Sequence, residues 1–151
     1  MAKKTASIVL IMALVGLFFL IRPVAAGGEL HALASSHEEM AEDALEHLRQ
    51  AFVAEDRHAF FEGVAEDPFF SWEDLNTRVS DHFRDYSQID LHVSIDHTLP
   101  DTDKVLVKTT WQRRWLNNKT GKLEENEGRA QFTFLIKDGV QLINIQGDSP
   151  F

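Results

Sequence analysis

The sequence predicts an α+β domain in which helices come first and an antiparallel sheet of about four strands follows. Apolar residues recur at three- and four-residue spacing from Ala41 to Phe83, and from Ile89 onward they alternate with polar ones. Turn-like stretches, "LPDTD", "NNKTGKLEENEG" and "DG", divide the alternating half into runs of strand length.

The opening 26 residues read as an export signal rather than as part of the fold. Lys3 and Lys4 give a positive start, Ile8 to Ile21 is apolar throughout apart from Gly16, and "RPVAAGG" follows. Val24 and Ala26 take the small-residue positions of a cleavage site, which places the cut between Ala26 and Gly27. A run of 14 residues is short of the roughly 20 that span a bilayer. The expected product is exported, periplasmic or secreted, in a bacterial envelope, with no stable membrane span once the signal is gone. Residues 27–36 then form a flexible lead, and 37–151 form one domain.

The chain has no cysteine, so packing rather than disulfides must hold it together. Its formal net charge is −9. Residues 27–103 carry 19 acids against four basic residues, whereas 104–151 carry five acids against eight. An acidic surface of this strength repels phosphate backbones and anionic membranes, which argues against nucleic acid as a partner. Much of the charge fits a solvated helix face.

"SSHEEMAEDALEHLRQAFVAED" begins with a capping box, Ser36 with Glu39, and continues in the stripe Ala41, Ala44, Leu45, Leu48 and Phe52. Glu39, Asp43 and His47 form a separate row opposite that stripe and read as solvated. "RHAFFEGVAEDPFF" gives a short second helix that Gly63 and Pro68 end. In the third, Ser71 with Asp74 suggests another cap, ahead of Trp72, Leu75, Val79 and Phe83.

In the first strand Ile89, Leu91, Val93 and Ile95 point one way, with His97 ending their row. In the second, Val105, Val107, Thr109, Trp111, Arg113 and Trp115 share a face. The stretch from Asn117 to Gly128 reads as a polar hairpin tip, after which Ala130, Phe132, Phe134 and Ile136 form the third apolar row. A two-residue Asp138-Gly139 turn pairs Lys137 with Val140, Phe134 with Ile143 and Phe132 with Ile145. That register sends Arg129, Gln131, Thr133, Asn144 and Gln146 outward together with Leu135 and Leu142.

Helices followed by this meander, the strand "KVLVKTTWQRRW" and the close "FTFLIKDGVQLINIQGDSPF" make the chain resemble the nuclear transport factor 2-like superfamily. These are the cone-shaped, cystatin-like relatives of ketosteroid isomerase and polyketide cyclases. The resemblance implies a curved sheet whose concave side faces the helices, with a pocket open at one end. It names no activity, since such folds serve as isomerases, dehydratases, cyclases and non-catalytic modules. It also implies a dimer contact on the outer sheet face, where Gln112, Arg114, Gln131 and Asn144 lie.

The polar residues expected on the inner face are His97, Thr109 and Arg113. Three functions follow. In the first, a non-catalytic module binds a small apolar or anionic ligand in a pocket of Thr109, Trp111, Arg113, Trp115, Phe132 and Phe134, with Arg113 selecting the head group. In the second, a small enzyme uses His97 as base and Arg113 as oxyanion partner. In the third, an acidic scaffold binds a basic partner, and its core is filled by side chains. A plainer expectation is that Arg113 pairs with an acid from the helices while His97 sits solvated at the rim. Asp90 and His92 are spaced for joint metal ligation, but Asp96 lies about 13 Å further along the strand. No zinc, phosphate-loop or dinucleotide motif is present, and no metal or cofactor is expected.

Overall fold

The computed structural model describes residues 26–66 and 71–151. Residues 1–25 of the signal segment, and Pro68, lie outside these residues. Ala32–Phe151 forms one compact unit.

Among the described residues three helices precede the sheet: α1 (Ala26–Val53), α2 (Arg57–Glu62) and α3 (Trp72–Asp85). α1 begins ten residues before the capping box that the sequence suggests, so Ser36 and Glu39 lie exposed within it and cap nothing. The preceding stretch is rich in alanine and leucine, which carry the helix back through it. Its apolar stripe is as expected, with Ala41, Leu45, Leu48 and Phe52 buried. Glu39, Asp43 and His47 are exposed. α2 starts where the Asp56 carboxylate accepts the Ala59 N–H at 3.0 Å. Ser71 does take the N-cap position of α3, but its hydroxyl donates to the Asp74 carboxylate instead of accepting a backbone N–H.

The sheet is a four-strand antiparallel meander of β1 (Tyr86–Asp101), β2 (Lys104–Asn117), β3 (Leu123–Ile136) and β4 (Val140–Gly147), paired in chain order. It curves around the helices, and bulges account for much of the bending, because each inserts a residue on one strand only. β1 carries two of them, between Ser87 and Asp90 and between Ile95 and His97. α1 is tied to β1 at two points. Thr98 donates to Glu42 at 2.7 Å, and Arg49 donates to the Leu91 carbonyl at 3.1 Å.

Two expectations about the strands are corrected. β3 starts at Leu123, so "LEENEG" belongs to the strand and the hairpin tip is only residues 118–122. Glu124 explains part of this, since it accepts from Trp115 Nε1 at 3.2 Å and from Asn117 Nδ2 at 2.9 Å. The β3–β4 turn is one residue longer than expected, pairing Ile136 with Val140 and Phe134 with Leu142. Asp138 and Gly139 both take positive φ there, 53° and 141°. A bulge at Ile143 then restores the expected pairing of Phe132 with Ile145. Leu142 is therefore fully buried instead of facing outward, and Ile143 is only half-buried.

Leu142 also secures the segment after α2. Its N–H donates to the Gly63 carbonyl at 2.8 Å and its carbonyl accepts from Ala65 at 2.9 Å. That contact covers part of an edge strand that would otherwise offer open hydrogen-bonding groups. The core fills the space between α1, α3 and the inner sheet face, and Phe52, Phe60, Trp111, Phe132 and Phe134 are its largest fully buried residues.

Candidate functional site

The polar chemistry of the interior gathers where the end of α3 meets β2. Leu75, Val79 and His82 recur at four- and three-residue spacing, which turns all three inward on α3. The His82 imidazole is 8% exposed. It stacks on Phe52 with ring centroids 5.2 Å apart, lies 4.6 Å from Tyr86, and meets Trp115 edge-on at 5.8 Å.

Arg113 comes from the facing strand, between Trp111 and Trp115 on the inner side of β2. Its guanidinium carbon sits 4.5 Å from the Trp115 ring centroid and 5.9 Å from that of Phe52. Nη1 donates to the Pro150 carbonyl. Among the described residues two buried side-chain nitrogens have no hydrogen-bond partner, His82 Nε2 and Arg113 Nε. The expected acid from the helices does not pair with Arg113, whose only protein acceptor among the described residues is that carbonyl.

The segment after β4 completes the site. Gly147 turns the chain with φ 85°, Asp148 N–H donates to the Arg129 carbonyl at 2.9 Å, and the Asp148 carbonyl accepts from Trp111 Nε1 at 2.7 Å. Trp111 reaches it across Gly128, its partner on β3, where a Cβ would lie 2.7 Å from the indole. Phe151 then inserts among Phe60, Phe52 and Phe132, at 4.9, 5.2 and 5.9 Å between centroids.

A cavity of about 280 Å³ remains at the mouth, lined by Arg78, Asp81, His82, Asp85, Tyr86, Arg113 and Phe151. Burial pushes His82 down to about 4; the nearby Arg113 charge acts in the same direction and Asp85 opposes both. Burial also brings Arg113 down to about 10, against a smaller opposing effect of Tyr86. Hydrogen bonds from Arg84 and Lys119 hold Asp85 at about 2. At neutral pH the site thus presents the Arg113 cation and a neutral imidazole, with a rim where Arg78 stands beside Asp81 and Asp85, both paired to Arg84.

The residues expected from sequence fare differently. Trp111, Phe132, Phe134 and Thr109 are packed core positions, 0 to 2% exposed, and Trp115 is 7% exposed; none of them lines this cavity. Of the six expected pocket residues only Arg113 does. Phe151, whose ring packs on Phe132, takes up part of that space. His97 is corrected in position. The bulge before it shifts the register by one, so it pairs with Lys108 on the outer face, while Thr98 takes the inward place opposite Val107. His82, Tyr86 and Phe151 were not singled out by sequence. The signal for His82 was available, since it lies seven residues after Leu75 and three after Val79.

Two larger grooves, of about 610 and 630 Å³, run over the outer sheet face. Several of their polar groups are already satisfied. Arg114 pairs with Asp90 at 2.8 Å, Thr110 donates to Asp96 at 2.9 Å, and Gln131 donates to Gln146 at 3.3 Å. Asp90, His92 and Asp96 thus have other partners, and among the described residues no group of three potential ligands is placed to hold a metal ion.

No family model and no curated protein sequence matches the chain. Solved structures do. A nuclear transport factor 2-like superfamily protein from Salmonella enterica serovar Typhimurium is 10% identical over 78% of this chain and 93% of its own, with a TM-score of 0.66. A conserved protein from Planctomyces limnophilus is 14% identical over 76% and 99%, at 0.64. A ketosteroid isomerase-like protein from Erwinia carotovora is 16% identical over 76% and 98%, at 0.62. Likeness at such identities is one of fold. The chain has the nuclear transport factor 2-like fold that its sequence resembles, and that fold carries both enzymes and binding modules.

Proposed function

We propose that the protein is an exported, non-catalytic module that binds a small anionic or polar ligand in the cavity beneath α3, with Arg113 as the anchor. One observation carries this reading: a largely buried guanidinium that, among the described residues, lacks an acid partner and leaves Nε unpaired, on a side chain that lines an open cavity. A buried cation is costly unless its hydrogen-bonding capacity is used, and a ligand carboxylate would use it. Export is supported by the signal-like pattern of residues 1–26. The binding reading is favoured over an enzyme because His97 and Arg113 lie on opposite faces of the sheet. His82, with its basicity lowered to about 4, is a weak general base at neutral pH.

Native mass spectrometry of protein purified gently from its host tests both parts. The expected result is a chain beginning at Gly27 that carries a small molecule, absent from the Arg113→Ala variant. A ligand retained by Arg113→Ala would defeat the anchor. The filled core favours a second reading, an acidic scaffold. On that reading the wild-type mass carries no small molecule, and partner binding weakens steeply with salt.

A further inference from the structure

We propose that the closing segment is an internal stand-in for the ligand, and that the site accepts a carboxylate joined to an aromatic ring by a three-atom spacer. The inference rests on the binding reading above and deepens it. Two features of the segment occupy the two features of the site. The Pro150 carbonyl oxygen takes an Arg113 N–H, and the Phe151 ring fills the slot between Phe52, Phe60 and Phe132. The covalent path between them is fixed. From the Pro150 carbonyl carbon it runs through the Phe151 amide nitrogen, Cα and Cβ to the ring, so three atoms separate acceptor group and aryl group.

A carboxylate in place of that carbonyl would make a charge-assisted bond to Nη1 of the same guanidinium. His82, 8% exposed, lines the same cavity, and among the described residues its buried Nε2 has no partner. The occupant is held by few bonds. Trp111 Nε1 to the Asp148 carbonyl, Asp148 N–H to Arg129, and Arg113 to Pro150 attach it to the sheet. A ligand that replaces the Pro150 and Phe151 contacts can therefore displace the segment, and its apparent affinity is reduced by the fraction of molecules in which the segment is seated.

The compound 4-phenylbutyrate has this spacing, with butyrate lacking the ring and phenylacetate the spacer length. Binding of the three to the wild-type chain and to Phe151→Ala is measured by calorimetry. The indole N–H resonance of Trp111 is followed by NMR in the wild type. Removing the Phe151 ring should tighten 4-phenylbutyrate binding on the order of ten- to a hundredfold, the equivalent of burying one aromatic ring. Phenylacetate and butyrate should bind that variant more weakly. In the wild type, 4-phenylbutyrate should move the Trp111 indole resonance as its bond to Asp148 opens.

Equal affinity of the two proteins, or of the three compounds for Phe151→Ala, overturns the inference. If Phe151→Ala does not fold, the wild-type resonance decides alone, and an unmoved signal at saturating compound overturns it too. A native ligand held through Arg113 together with an unmoved Trp111 signal would remove only the mimicry. A Trp111 response that survives Arg113→Ala would instead remove the anchor on which the function rests.

Discussion

The acid limb of stability gives a direct measure of how dry the site is. His82 falls from an ordinary value of 6.5 to about 4, chiefly through burial. As pH drops below 6.5 the unfolded chain takes up a proton that the folded chain refuses, so the unfolded state gains and stability declines. The contribution is fully present above pH 6.5 and is lost as pH falls towards 4. Each tenfold loss of proton affinity is worth about 1.4 kcal/mol, so the decline over the window is roughly 2–3 kcal/mol. Glu46 and Asp85 are both held near 2, which puts their losses below their ordinary values of 4.5 and 3.8. The interval from about pH 6 to 5 therefore isolates the imidazole. Unfolding free energies from urea titrations across it should fall for the wild type by about 1 kcal/mol and stay level for His82→Phe, a ring that suits the surrounding aromatic stack. Arg113→Met removes the cation that helps lower His82, so its decline should be shallower. A level wild-type profile, or a His82→Phe profile as steep as the wild type, would refute the assignment of a dry, neutral imidazole.

Two glycines test how the closing segment is seated. Gly128→Ala places a methyl 2.7 Å from both the Trp111 indole and the Asp148 Cβ, and should cost about 1–3 kcal/mol in urea unfolding while shifting the Trp111 indole resonance. Gly147→Ala combines φ 85° with a Cβ 2.7 Å from the Arg129 carbonyl oxygen, and should cost more than about 1 kcal/mol. If Gly147→Ala instead matches the wild type, the turn into Asp148 is not as tight as described.

Sequence reasoning recovered the layout because it depends on period. The rows Leu75–Val79 and Val105–Val107–Thr109–Trp111 follow directly from spacings of helix and strand, and the helices and four strands appear in the expected order. What escaped it depends on single inserted residues and on distant partners. A bulge leaves the composition of β1 unchanged yet sends His97 outward and Thr98 inward. "LEENEG" is polar enough to pass for a loop, but its strand pairing is set by β2, and sequence alone does not show that neighbour. The site was visible only in Arg113. Phe151 lies 99 positions from Phe52, and nothing local to "GDSPF" announces that its ring enters the core between them.

The long turn and the bulge of the β3–β4 hairpin are errors of one residue with opposite sign, and they cancel. Between them the strand is read in the other phase, which selects Leu142 over Ile143 for the interior; beyond them Phe132 still meets Ile145. Phase is thus a local variable in this hairpin, and its two ends are coupled. Shortening the turn by one residue while removing the bulge would preserve the far register and exchange only which aliphatic residue is enclosed. Changing either alone would propagate a slip down β4 to Gly147, and so misplace the segment that carries Phe151.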